Sequence, residues 1–176
     1  YTLLDQNTFW LCEKPDSVGM VGWDAALTRI ATWVKLQDKK TGQILMVVNT
    51  HFDHIGTEAR RNSALLIIEK IKEIVGTSPA ILTGDFNVSE DWDAYKTITN
   101  NEFILKDAHK VAGKRTGVDF TYHNFGKIPA EKCEKIDFIF VTPQIRVISS
   151  YIPFSQLNDT LFLSDHNPEI VELEIK

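Results

Sequence analysis

The chain of 176 residues reads as one α/β domain. Three observations predict this. Continuous apolar runs at Ile44-Leu45-Met46-Val47-Val48, Ala80-Ile81-Leu82 and Ile136–Val141 have the composition of buried strands. Between the first two lies Thr57–Val75, whose apolar residues recur at helical spacing. The last segment, Val171-Glu172-Leu173-Glu174-Ile175-Lys176, alternates strictly, as a strand with one buried and one wet face does. This length suffices for a single sizeable core. No internal repeat, low-complexity tract or linker divides the chain, so residues 1–176 are read as one domain.

Each element has its own justification. Phe9-Trp10-Leu11-Cys12 is a short aromatic-rich run, and Lys14 to Gly22 is a loop containing Pro15 and two glycines. Leu27–Leu36 is read as a strand joined to Ile44–Val48 by the turn Lys39-Lys40-Thr41-Gly42, which makes a hairpin. In Thr57–Val75 the stripe is Ala64, Ile67, Ile68, Ile71, Ile74 and Val75, with Arg61, Glu69, Lys72 and Glu73 outside it. Thr57 is the expected N-cap and Gly76 the stop. Asp91–Thr99 is expected to be a short helix with Trp92, Tyr95 and Ile98 or Thr99 inward. Gly113–Gly117 reads as a basic turn, while Phe120-Thr121-Tyr122-His123 and Ile145–Ile152 read as strands.

The net charge of -5 argues against a broad electrostatic footprint on nucleic acid. It is compatible with a small phosphorylated substrate, because a metal supplies positive charge locally. No apolar stretch is long enough to span a bilayer, and no signal-peptide pattern is present at the start. The chain opens at Tyr1 on a stretch that reads as mid-domain. Cys12 and Cys133 fit no metal or redox spacing, so they are read as free thiols that leave the compartment open.

Four polar signatures sit where apolar runs end: Asn49-Thr50-His51, Gly84-Asp85-Phe86-Asn87, Ile136-Asp137-Phe138 and Ser164-Asp165-His166-Asn167-Pro168. Acidic, amide and imidazole groups at strand ends suit metal-assisted cleavage of a phosphoester, whose anionic oxygens otherwise repel a nucleophile. Asp85, Asp137 and Asp165 are hard oxygen ligands suited to Mg²⁺, Mn²⁺ or Ca²⁺ rather than zinc, and no Cys/His cluster competes with them. Gly84 permits a close backbone approach, and Asp85 and Asn87 fall on one side if the segment is extended. His51 is a candidate donor to a phosphate oxygen or leaving group, against the plainer reading of a surface histidine beside a loop. Asp165 and His166 point apart in an extended segment, so Asp165 would face a metal while His166 shuttles a proton. Asp137, costly in a buried strand unless paired, is the carboxylate to orient that imidazole.

In these motifs and their order the chain resembles the endonuclease/exonuclease/phosphatase superfamily, and Gly22-Trp23-Asp24-Ala25-Ala26 with Arg29 is a further feature of its bacterial branch. The resemblance implies a DNase I-like four-layer α-β-β-α sandwich and a metal-dependent phosphoesterase: a nuclease or phosphatase acting through an activated water. It implies that His166 with Asp137 is the acid–base pair and that Asp85 orients water. Asn87 and His51 would contact the phosphate, and Asp165 would lie at the metal site. Arg29 is a candidate for anion binding, ahead of Arg60 and Arg61. Mg²⁺ is the expected ion, and the substrate a phosphorylated small molecule, a lipid head group or a nucleic acid. A catalytically silent binding module that keeps the scaffold is the alternative.

The pattern departs from the family at the start. The usual strand-end Asn and Gln-Glu pair, whose Glu is the principal metal ligand, have no counterpart here; Glu13 and Leu4-Asp5-Gln6-Asn7 do not replace them. The expectation is therefore a C-terminal two-thirds of a family member, weak or inactive alone. Its uncovered strands would be closed by the missing segment or by self-association.

Overall fold

A computed structural model of the chain describes residues 1–100, 105–158 and 161–176. Six strands form the principal sheet: β1 (Thr2–Trp10), β2 (Ile30–Gln37), β3 (Ile44–His51), β4 (Ala80–Asp85), β7 (Asp137–Val141) and β5 (Lys106–Asp107), in that spatial order. A second sheet holds β11 (Ile170–Ile175), β8 (Ile145–Ile152) and β6 (Lys114–Gly117). A small hairpin joins β9 (Gln156–Asn158) to β10 (Leu161–Phe162). Among the described residues the α-helices are α1 (Thr57–Val75), α2 (Asp93–Thr99) and the single turn α3 (Ala108–Val111).

The pleat of the principal sheet divides the core in two. Met46, Val48, Leu82, Phe138 and Phe140 turn to the helical side, where they meet Ile67, Ile68 and Ile71 of α1 and Tyr95 and Ile98 of α2. Each such buried aliphatic contributes roughly 1.5–3 kcal/mol of transfer free energy. Val47, Ile81, Ile139 and Val141 turn to the other side and join Ile145 and Val147 of β8 and Leu173 and Ile175 of β11. The result is helix layer, six-stranded sheet, three-stranded sheet.

Helix α1 keeps its expected bounds, and its stripe is buried, with Ile74 at the margin. Its cap differs from expectation. Gly56, not Thr57, is the N-cap, and it offers no side-chain bond. The first-turn amides of Glu58 and Ala59 instead donate to Asp24, at 3.2 and 2.7 Å. A Cβ on Gly56 would lie 2.6 Å from Asp24 Oδ1, so a glycine is needed for that carboxylate to dock. The Gly22–Ala26 motif thus caps a distant helix.

Other differences have local causes. Strand β2 begins at Ile30 rather than Leu27, because the Leu27 amide is drawn to Asp53 (3.2 Å). Strand β3 runs on to His51, and its inner face is only partly covered. β1 extends over nine residues rather than the short run at Phe9–Cys12, paired with β2 as an edge strand with Leu3 and Leu4 exposed. Helix α2 starts at Asp93, and Trp92 lies outside, stacked under the Arg60 guanidinium at 4.9 Å, while Tyr95 and Ile98 point inward as expected. Lys114–Gly117, expected as a turn, pairs parallel to β8. Phe120–His123 is not a strand; Tyr122 alone bridges, to Glu134 and His166. Among the described residues no helix is long and apolar enough to cross a membrane.

Candidate active site

Three adjacent strands change character on the same face at the same level. In β3, β4 and β7 the register sets Val47, Ile81 and Val141 in one row, then Asn49, Thr83 and Ile139, then His51, Asp85 and Asp137. The first row is core beneath the second sheet. The last row is polar and lines a cavity of about 480 Å³ together with Asn49, Thr83 and Glu169. Opposed residues of paired strands share a face. The site therefore follows from where each strand's inward stripe turns from apolar to polar.

A fourth group closes the row. His166 Nδ1 lies 2.7 Å from Asp137 Oδ2. The imidazole comes from the segment between β10 and β11, and its ring leans on Tyr122, with centroids 4.9 Å apart. Thr121, fully buried, ties the two halves together. Its Oγ1 accepts from the amides of Ile136 and Asp137, both at 3.0 Å, and its carbonyl accepts from the Asn167 amide at 2.7 Å. The Asn167 side chain holds the same segment, accepting from the Ser155 amide at 2.8 Å and donating to the Phe120 carbonyl at 3.3 Å.

Charge in this row is tightly packed. Burial, and then the neighbouring Asp137 charge, push the Asp85 carboxyl above its ordinary range. The hydrogen bond to Asp137 raises His166, against the opposing effect of burial. Burial lowers His51 despite the pull of Asp85. His51 Nε2 lies 3.3 Å from Asp85 Oδ2, and with the imidazole driven towards neutrality and the carboxyl raised, this contact is a weak ion pair. Asp85, Asp137 and His166 each bring a ligand atom within 4.8 Å of the others. Two facing carboxylates and an imidazole, with one acid destabilised by its neighbour, form a donor set that a hard divalent cation would relieve.

The remaining expected residues are distributed as follows. Asn87 does not share an extended segment with Asp85. It takes a left-handed conformation (φ 49°), donates its backbone amide to Asp85 Oδ1 at 2.9 Å, and donates its side-chain amide to the Phe52 carbonyl at 3.0 Å. Asp165 stands outside the cluster of three; its carbonyl accepts from the amides of His123 and Asn124, and its side chain from Ser164 Oγ at 3.3 Å. Arg29 flanks the site, lining a small cavity with Asn49, Thr50 and His51, and it is anchored by Asp53 at 3.5 Å. Arg60 is buried in the α1 entry, donating to the Asp53 carbonyl, whereas Arg61 is exposed beside Glu58. Asp53, Thr121, Lys135 and Glu169 are site-building residues that sequence reasoning missed. Only Asp53 carried a signal, as an acid four residues before the helix start at Thr57.

Gly84 sits opposite Thr50 and Phe138, and a Cβ there would lie 2.0 Å from the Thr50 carbonyl. Gly84→Ala is expected to destabilise the fold by about 1–3 kcal/mol through this overlap. It should also displace the row that carries His51 and Asp85. Urea denaturation checks the first effect; an unchanged midpoint would refute it.

The endonuclease/exonuclease/phosphatase family model matches residues 7–166, from β1 through His166. The chain belongs to the endonuclease/exonuclease/phosphatase family. A family protein of known structure from Bacteroides vulgatus is 64% identical, with a TM-score of 0.95 over 99% of this chain and 66% of its own. A mannosyl-6-phosphatase of Bacteroides thetaiotaomicron is 35% identical, with a TM-score of 0.89 over 99% of this chain and 67% of its own. An uncharacterized protein of Acanthamoeba polyphaga mimivirus is 30% identical over 175 residues, 94% of this chain and 63% of its own. The chain thus spans 63% to 67% of the length of these relatives. The mixed α/β, DNase I-like architecture is shared with the family structures.

Proposed function

We propose that this endonuclease/exonuclease/phosphatase family protein hydrolyses a phosphoester with an activated water, and that its substrate is a phosphorylated small molecule. The observation that carries this reading is the row His51–Asp85–Asp137 closed by His166 at 2.7 Å. His166 holds its Nδ1 proton towards Asp137, which leaves Nε2 to take a proton from water or return one to the leaving oxygen. Asp85, on the next strand, accepts from and orients that water. His51, more than half exposed at its side chain, is free to donate to a phosphoryl oxygen. Arg29, which lines the adjoining small cavity with Asn49, Thr50 and His51, is assigned with Asn87 to phosphate contact, and Asp165 to the metal site.

The facing carboxylates of Asp85 and Asp137 would hold a Mg²⁺ or Mn²⁺ ion beside the His166 imidazole. When bound, such an ion supplies charge neutralisation at the phosphoryl oxygens and the leaving group. The preference for a small substrate is supported by the net charge of -5 and by the 35% identical mannosyl-6-phosphatase.

The test combines binding with turnover. A carboxyl raised by burial and by a neighbouring charge disfavours the fold once ionised, so its cost is present at neutral pH. Asp85→Asn is therefore expected to melt higher than wild type without metal, and to gain less from millimolar Mg²⁺. Turnover of mannose 6-phosphate and of p-nitrophenyl phosphate is expected to exceed that of duplex DNA. The reading fails if Mg²⁺ and Mn²⁺ leave the melting temperature unmoved and no phosphoester is cleaved.

A further inference from the structure

Beneath the Asp137–His166 contact lies a second ionic contact between the same two segments. Lys135, two residues before Asp137, places Nζ 2.9 Å from Oε2 of Glu169, three residues after His166. Both side chains are almost wholly buried, at 5% and 2% exposure. The ammonium also donates to the Asp137 carbonyl at 2.8 Å and sits 3.9 Å from the Phe138 ring centroid. The other Glu169 oxygen accepts from Ser150 Oγ at 3.2 Å, and that hydroxyl lies 2.8 Å from His109 Nδ1. The Lys135 ammonium and the Ser150 hydroxyl thus approach the two Glu169 oxygens, and Glu169 itself lines the site.

A buried ion pair is poor value as a stabiliser, because apolar residues of similar volume usually serve as well or better. Its position gives it another use. One member is tethered to the segment bearing Asp137, the other to the segment bearing His166, so the pair fixes the separation of the two strand ends from below. Acid–base groups need placement within about 0.5 Å and 10–20° to work. We propose that Lys135 and Glu169 are positioning residues that hold Asp137 against His166 and thereby set the imidazole tautomer. This rests on the phosphoesterase reading for its purpose, but not for its test.

The experiment reads His166 directly, by ¹⁵N imidazole NMR of the metal-free protein at a pH where the ring is neutral. In wild type a single tautomer with the proton on Nδ1 is expected. Glu169→Gln, which removes the charge and keeps the volume, and Lys135→Met should both average the two ring nitrogens while circular dichroism stays native. Lys135→Arg should restore the wild-type signal. In turnover assays the two disruptive variants should lose about 10–100-fold in kcat with little change in KM. A wild-type His166 signal in folded Glu169→Gln overturns the proposal, whether or not the protein hydrolyses a phosphoester. So does a lowered melting temperature with an unmoved imidazole signal. If Lys135→Met does not fold, Glu169→Gln alone decides.

Discussion

His166→Ala is expected to lower phosphoester turnover by about 10²–10⁴-fold, the range a positioned acid–base group contributes. The loss should fall on kcat, because removing the imidazole leaves the proposed phosphate contacts of His51 and Asn87 in place. The fold should survive. The side chain is a quarter exposed, and the segment that carries it is held by Asn167, Thr121 and Ser155 rather than by the imidazole. Initial rates with saturating phosphomonoester and Mg²⁺ check this, with circular dichroism as the control for folding. A variant that turns over like wild type would remove His166 from the mechanism.

Asp53→Ala is expected to cost about 3–5 kcal/mol of stability, the range for removing one partner of a buried charge pair. Asp53 is 1% exposed and accepts from the amides of Leu27, Ile55 and Gly56, at 3.2, 3.0 and 2.7 Å. It also anchors Arg29 at 3.5 Å, so its loss leaves that guanidinium without its carboxylate beside His51. Burial pushes this carboxyl up, but the backbone amides of Gly56, Ala26, Ile55 and Leu27 outweigh it and hold it well below its ordinary 3.8. A depressed carboxyl stabilises the fold above its unfolded value and loses that contribution as pH falls towards its folded value. The gap between wild type and Asp53→Ala should therefore be full above roughly pH 5 and narrow in acid. Urea midpoints at neutral and acidic pH measure it; a gap that does not change with pH would contradict the assignment.

The parts of the molecule legible in the sequence are those where burial on one side writes a period. Helix α1 shows its stripe because Ala64, Ile67, Ile68 and Ile71 all press on one sheet face. The runs of β3, β4 and β7 show because the lower part of each is covered on both sides. Strand β6 does not show: all four residues are exposed, and pairing with β8 alone makes it a strand. Most of β1 is hidden for the same reason. In the site, His51, Asp85, Asp137 and His166 stand out as polar groups at the ends of apolar runs. Thr121, Lys135 and Glu169 do not, because their roles depend on partners brought together only by the fold. Asn87 misled the extended reading because an Asx-type bond to Asp85 turns the chain there.

The capping of α1 has a consequence for the order in which the chain folds. An isolated helix ordinarily satisfies its first amides with a side chain from its own entry, so it can nucleate locally. Here Glu58 and Ala59 find their acceptor in Asp24, beyond the whole of the β2–β3 hairpin. The first turn is complete only once that hairpin has formed and the loop before it has docked. Closing such a loop is slow relative to helix growth. The amino-terminal end of the longest helix is therefore a late-forming part of the molecule, and the amide exchange rates of Glu58 and Ala59 report on assembly of the sheet rather than on the helix to which they belong.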